Sequence, residues 1–342
     1  MRLTRRALLL GGAAGAATAG AVGYAFAQRP SAVEAPTPLT VDATPIESFS
    51  ASDRERRRFG ALTYRSGLEL RADLDGFGGL SGLWRSPDGG RLVAVTDNAQ
   101  WLTARIDRRE GRLAGLSDAV MAPILTATGK PLRRSRFYDT EGLAIAGDTA
   151  WVSVERSHAL FRFDWGRSGV QSRGQPIPLP RGVRDLPSNS GLEAVAVAPA
   201  RSPLAGALVA VAERSQSGST APTLGLILTG SRPGAFELAR ADDYDVTDIA
   251  FLPSGEVLVL ERRFSLLGGL GIRIRRLDAS AIRPGALADG PVIFETDGSS
   301  QIDNMEGMAL HREGSEVVVT LIADNNFSRM QRTLLLEFVL AE

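Results

Sequence analysis

The chain has 342 residues, with 39 Lys and Arg against 39 Asp and Glu, for a formal net charge of +0. That balance excludes the basic surface a nucleic-acid partner requires. With no cysteine there is no disulfide, no thiolate metal site and no cysteine nucleophile, and the only histidines, His158 and His311, lie too far apart in sequence to suggest a multi-histidine zinc or copper site.

Residues 1–27 carry the features of an export address. Thr4-Arg5-Arg6-Ala7-Leu8-Leu9 matches a twin-arginine motif, a Leu/Ala/Gly run follows to Gly23, and Ala25-Phe26-Ala27 supplies a small-x-small cleavage pattern. The expectation is a periplasmic protein starting at Gln28, with no membrane anchor left after cleavage. Residues 28–58 are rich in Pro, Ala, Ser and Thr before a short charged patch, and are expected as a linker or extended arm. Residues 59–342 are expected as one domain.

Within that domain a two-part phrase recurs five times, about every 55 residues. Its first part is an acidic or small polar residue before Gly, Ala or Ile and an apolar residue. The copies are Ser81-Gly82-Leu83, Glu141-Gly142-Leu143, Glu193-Ala194-Val195, Asp248-Ile249-Ala250 and Glu306-Gly307-Met308. Its second part is a β-rich run that stops at an acid: VAVTD at 93–97, WVSVE at 151–155, VAVAE at 209–213, VLVLE at 257–261 and VVVTLIAD at 317–324. A third strand follows in each unit and a fourth in all but the last. This pattern predicts an all-β fold, a β-propeller. The vacant fourth strand of the last unit is expected to be filled by the N-terminal segment 61–72, itself expected to turn at Ser66-Gly67. Counted this way the ring has five blades; a fuller sheet around 61–72 would make six.

Strand direction gives the phrase a chemical meaning. The start of a first strand lies beside the end of its antiparallel second strand, so both acids of each unit fall on one rim of the disc. Nine carboxylates are therefore expected around one funnel. Such a cluster repels itself unless a cation, arginines or protons neutralise it. Glu141, Glu193 and Glu306 are the candidates for catalysis. Asp97, Glu155, Glu213, Asp248, Glu261 and Asp324 are the candidate metal ligands. An all-oxygen set suits Ca²⁺, and Asn98, Asn189, Asn304, Asn325 and Asn326 beside the acids add amide oxygens. Arg156, Arg214 and Arg262 directly follow acids and are candidates to bind a substrate phosphate by forked hydrogen bonds. The competing reading pairs them with carboxylates of the next blade.

The chain has no G-x-S-x-G elbow and no P-loop, so metal-assisted hydrolysis fits better than covalent catalysis. The stretches FGGLSGL (77–83), YDTEGLA (138–144), VSVER (152–156), PSGEVLVLERRF (253–264), IDNMEGMA (302–309) and IADNNF (322–327) together resemble the "esterase-like activity of phytase" family of exported bacterial propellers. The resemblance spans about residues 60–340 and implies hydrolysis of phosphoric esters. The Asp-Asp-Pro-Ala signature of calcium-dependent propeller phytases is absent. The expectation is thus a monomeric, Ca²⁺-assisted hydrolase of small-molecule phosphate esters. A Ca²⁺-dependent lactonase or arylesterase, and a non-catalytic envelope scaffold, are the alternatives.

Overall fold

Short apolar runs separated by Gly-, Pro- and Asp-containing turns build five sheets in the computed structural model, which describes residues 31–187, 190–214, 221–265 and 268–341. The export motif lies outside the described residues. Each sheet is one propeller blade, and its strands run outward in sequence order from the central channel. Blade 1 comprises Leu80–Arg85, Arg91–Thr96, Gln100–Arg109 and Arg112–Pro123. Blade 2 comprises Thr140–Ala146, Thr149–Val154, Ala159–Asp164 and Arg173–Pro176. Blade 3 comprises Leu192–Val197, Leu208–Ala212, Thr223–Ile227 and Gly234–Leu238. Blade 4 comprises Asp245–Phe251, Val257–Ser265, Gly269–Leu277 and Val292–Asp297. Blade 5 comprises Asn304–Glu313, Glu316–Asp324, Thr333–Leu340 and, from the other end of the chain, Leu62–Ala72.

The ring closes as the strand count requires. Leu62–Ala72 lies antiparallel to Thr333–Leu340, from Leu62 opposite Leu340 to Leu70 opposite Thr333, so the blades number five. The expected turn at Ser66-Gly67 does not form, and the strand runs straight through it. Gly67 serves packing instead, because a Cβ there would stand 2.6 Å from Leu336 Cδ2 and 2.8 Å from the Tyr64 hydroxyl.

The segment expected as a linker or arm is paired into the sheets. Val41–Ile46 lines the outer edge of Leu62–Ala72, and Thr37–Pro38 pairs with Val120 and Met121 on the outer edge of blade 1. Two strand edges that would otherwise offer unpaired amides are thereby covered. Beneath the arm, the seam between blades 5 and 1 holds a buried charge group. Arg108 donates to both oxygens of Glu337 at 2.7 and 2.8 Å, and Arg85 donates to the same carboxylate at 2.9 Å.

Apolar side chains fill the spaces between blades. Leu68, Leu80, Leu92, Leu102, Ile322 and Leu335 belong to one such layer. Trp101 packs against Phe163 and Trp165, with ring centroids 5.3 and 4.8 Å away, in the layer between blades 1 and 2.

Every innermost strand breaks register once against its neighbour. The irregularities lie between Leu80 and Leu83, Thr140 and Leu143, Leu192 and Ala194, Val246 and Asp248, and Met305 and Gly307. A bulge leaves a residue unpaired and re-aims its side chain, and here it serves the channel. The glycine of the Glu-Gly phrase has a separate cause. A Cβ on Gly142 would lie 2.4 Å from the Glu193 carbonyl oxygen, and one on Gly307 would lie 2.2 Å from that of Ser81. Neighbouring inner strands touch backbone to backbone at this level.

Candidate active site in the acidic funnel

The bulged residues Ser81, Glu141, Glu193 and Glu306 turn into the channel mouth, where Asp97, Glu155, Glu213 and Asp324 meet them from the ends of the second strands. Ser81 Oγ donates to Asp97 Oδ1 at 2.7 Å. Asp139, which the repeat does not single out, joins them from the lead-in to blade 2. Its backbone N–H donates to the Asp97 carbonyl at 2.8 Å and its own carbonyl accepts from Glu155 N at 2.9 Å. Asp139 is held at φ +70°, a left-handed backbone conformation that Asp tolerates better than most residues.

These acids are packed tightly. Ligand oxygens of Asp139, Glu141 and Glu155 lie within 4.8 Å of one another, and so do those of Glu155, Glu193 and Glu213. Glu155 belongs to both groups. Further along the inner strands a pocket of about 150 Å³ is lined by Leu83, Leu143, Val195, Ile249 and Met308, with Arg85 at its edge.

Burial and mutual repulsion both favour the protonated acid. Burial first, then the charges of Asp139 and Glu306, pushes Asp97 up to about 7. Burial first, then Asp139 and Glu213, pushes Glu155 up to about 8, while a hydrogen bond with Glu193 restrains it. Glu141 and Glu193 stand well above the usual carboxylate range, for burial first and then for the neighbouring acids. Asp324 is raised in the same way, by burial and then by Asp97 and Glu306. Burial also raises Glu306, with Arg262 opposing it.

Blade 4 departs from the expected pattern by one residue. Its bulge falls at Thr247, and Val246 pairs with Glu261. The residue equivalent to the second-strand acids of the other blades is therefore Arg262. A one-residue slip sends side chains to the opposite face, so Asp248 and Glu261 do not meet as a funnel pair. Glu261 is buried among arginines instead, accepting from Arg273 Nε at 2.6 Å and from Arg275 Nη2 at 2.7 Å. Asp248 occupies the place that glycine holds in blades 1, 2 and 5. Its carboxylate accepts from its neighbour's N–H at Ile249 and, across the seam to blade 5, from Met308 N at 2.7 Å.

The three candidate arginines differ. Arg262 donates to Asn304 Oδ1, lies 3.2 Å from Glu306 Oε1 and 3.8 Å from Glu213 Oε1. Arg214 reaches the same Glu213 oxygen at 3.1 Å and Asp245 at 2.6 Å. Arg156 lies on the rim, mostly exposed, paired with Asp139 and 5.5 Å from the Tyr138 ring centroid. Arg240 was not apparent from the repeat; it braces Asp245 from behind at 2.7 Å.

Among the asparagines, Asn304 Nδ2 donates to Glu306 at 2.7 Å, and Asn325 Oδ1 accepts from Gly79 N at 3.1 Å. Asn98 is buried beside Asp97, Asn326 donates its backbone N–H to Asp324 at 2.7 Å, and Asn189 lies outside the described residues. The funnel is thus divided: among the described contacts Asp97, Glu141, Glu155 and Glu193 have no arginine partner, whereas Asp139, Glu213 and Glu306 do.

The motif set and this geometry agree with a family model described as "Esterase-like activity of phytase", which matches residues 75–327. The chain belongs to this phytase-like family. No curated protein matches the chain. The phytase-like chain is similar to the crystal structure of Myxococcus xanthus glutaminyl cyclase, with 12% identity over 78% of this chain and 92% of that one and a TM-score of 0.41. It is also similar to a PQQ-bound aldose sugar dehydrogenase from Streptomyces coelicolor, with 14% identity over 90% and 100% of the two chains and a TM-score of 0.41.

The donor set of the phytase-like funnel fits a hard cation. The two triplets consist of carboxylate oxygens, grouped closely enough that they could converge on one ion.

Proposed function

We propose that this phytase-like propeller is an exported hydrolase of phosphate esters that works with Ca²⁺ or a similar hard cation. The observation that carries the reading is the pair of overlapping carboxylate triplets sharing Glu155, with Arg156 and Arg214 at their outer members Asp139 and Glu213. Glu155, Glu193 and Glu213 would hold the cation. When bound, it would supply Lewis-acid polarisation of a phosphoryl oxygen and offset the repulsion among the acids.

The protein's own residues divide the remaining work. Arg214 and Arg262, which approach one oxygen of Glu213 from two sides, orient the phosphoryl group, and Arg156 meets it at the rim. Glu141, beside Asp139 and Glu155, accepts the proton of the attacking water at a carboxylate oxygen as the new P–O bond forms and the ester P–O bond breaks, and the proton then returns to the departing alkoxide. Glu306 keeps Arg262 in place. A scaffold role is less well supported, because the arginine pairs neutralise the side near blade 4 and leave Asp97, Glu141, Glu155 and Glu193 without a guanidinium partner among the described contacts.

The test is calorimetric titration of chelator-stripped 28–342 protein with Ca²⁺, followed by turnover of a generic phosphomonoester. Binding with cation-dependent phosphate release is the expected result. Binding with lactone but no phosphate-ester turnover would transfer the site to the lactonase reading. A protein that binds no cation would end the proposal.

A further inference from the structure

The second strand of blade 4 does something its counterparts do not. In blades 1, 2 and 3 that strand ends at Thr96, Val154 and Ala212, just short of the funnel acid. In blade 4 it continues through Arg262 to Ser265, with unbroken pairing to the third strand as far as Ser265 opposite Gly269. The hairpin therefore rises above the rim.

Its two faces are identified by contacts. Glu261 meets Arg273, and Arg263 lies 4.9 Å from the Tyr244 ring centroid beside that same Arg273 at 4.2 Å. Arg262 points the other way, to Asn304 and Glu306 of blade 5. Side chains two residues apart share a strand face. Phe264 thus stands on the face of Arg262, about 7 Å further along the strand, and it is 71% exposed. The blade 5 connection between Asp324 and Thr333 rises from the same end of the neighbouring sheet, and it carries Met330, 93% exposed.

Single exposed apolar residues are ordinary. Here, however, a large aromatic side chain projects beyond an arginine, on one strand face, at the mouth of the proposed site. We infer that Phe264 is a specificity-determining residue for an ester that joins its phosphoryl group to an apolar, ring-sized group. The inference rests on the phosphate-ester reading above. With the phosphoryl group at Arg262, the apolar part of the same molecule would lie along Phe264, and burying the two surfaces against each other favours binding.

The experiment compares phenylphosphonate with methylphosphonate as ligands of the Ca²⁺-loaded 28–342 protein, for wild type, Phe264→Ala and Phe264→Leu. Turnover of phenyl phosphate is measured on the same samples. Phenylphosphonate should bind about tenfold tighter than methylphosphonate to wild type. Phe264→Ala should abolish that preference without changing methylphosphonate affinity, and should raise the KM for phenyl phosphate with kcat unchanged. Phe264→Leu should retain most of the preference. No phenyl preference in wild type, or one that persists in Phe264→Ala, would overturn the inference and leave the ester reading standing. Failure of either phosphonate to bind would overturn both.

Discussion

Arg262 lies 3.2 Å from Glu306 across the seam between blades 4 and 5, in the strand position that the other four blades give to a carboxylate. A guanidinium thus takes a ring position among seven acids, and it opposes the rise of Glu306. Replacing it, Arg262→Gln, leaves Glu306 buried with only Asn304 for support. At pH 8 the variant should lose about 1–2 kcal/mol of stability. At pH 5 the loss should shrink, because Glu306 can then be protonated. Urea unfolding at both pH values checks this, and an equal loss at each would count against it.

The ring acids give the cation-free protein an unusual pH dependence. Asp97, at about 7, and Glu155, at about 8, have folded-state values above their ordinary ones. Between the unfolded and folded values the native state therefore binds more protons than the unfolded state, and stability falls as pH rises. Thermal unfolding with a chelator should show this contribution in full below about pH 4 and declining from there through about pH 8. Added Ca²⁺ should flatten the decline. A rise in stability over that interval would contradict the protonation picture.

Two glutamates from the two parts of the repeated phrase should behave differently. Glu193→Gln, in the triplet with Glu155 and Glu213, should weaken Ca²⁺ binding at least about tenfold. Glu261→Gln should leave Ca²⁺ affinity unchanged yet cost about 3 kcal/mol, because Arg273 and Arg275 lose their shared buried partner. Calorimetry and denaturant titration of both variants separate the roles. Loss of cation binding in Glu261→Gln would refute the assignment.

Gly142→Ala should destabilise the ring by about 2–3 kcal/mol, since its Cβ would meet the Glu193 carbonyl at 2.4 Å with little room to relax. Gly147→Ala provides a control: no atom lies near a Cβ there, and only its φ of +55° is unfavourable. Comparable losses in the two would show that contact between inner strands is not the constraint.

The blade count, strand order and ring closure were legible because apolar runs and turns repeat at nearly constant intervals. The Glu-Gly phrase marked the inner bulge in blades 2 and 5, where a Cβ would meet the backbone of the next inner strand; blades 3 and 4 carry Ala194 and Asp248 at that place. Blade 4 was misphased because VLVLE at 257–261 matches VAVAE at 209–213 in letters while its strand runs on past the acid. The displaced bulge at Thr247 leaves no letter-level mark. Asp139 escaped notice because its place depends on a left-handed turn before the strand, although it lies two residues from Glu141. Ser66-Gly67 looked like a turn, since the packing of Leu336 against a glycine appears only once the strands from the two ends of the chain are side by side.

That meeting of the two ends has a consequence for how the protein is made. Leu62–Ala72 leaves the ribosome long before its partner Thr333–Leu340. Blade 5 therefore cannot be completed on a nascent chain that stops before its final strand, and Glu337 is not present until then to meet Arg85 and Arg108. Contacts so distant in sequence form slowly. The early strand must wait with its edge exposed while four blades assemble beside it. The paired arm at Val41–Ile46 covers the other edge of that strand, so in the interval only one side is open to a wrong partner.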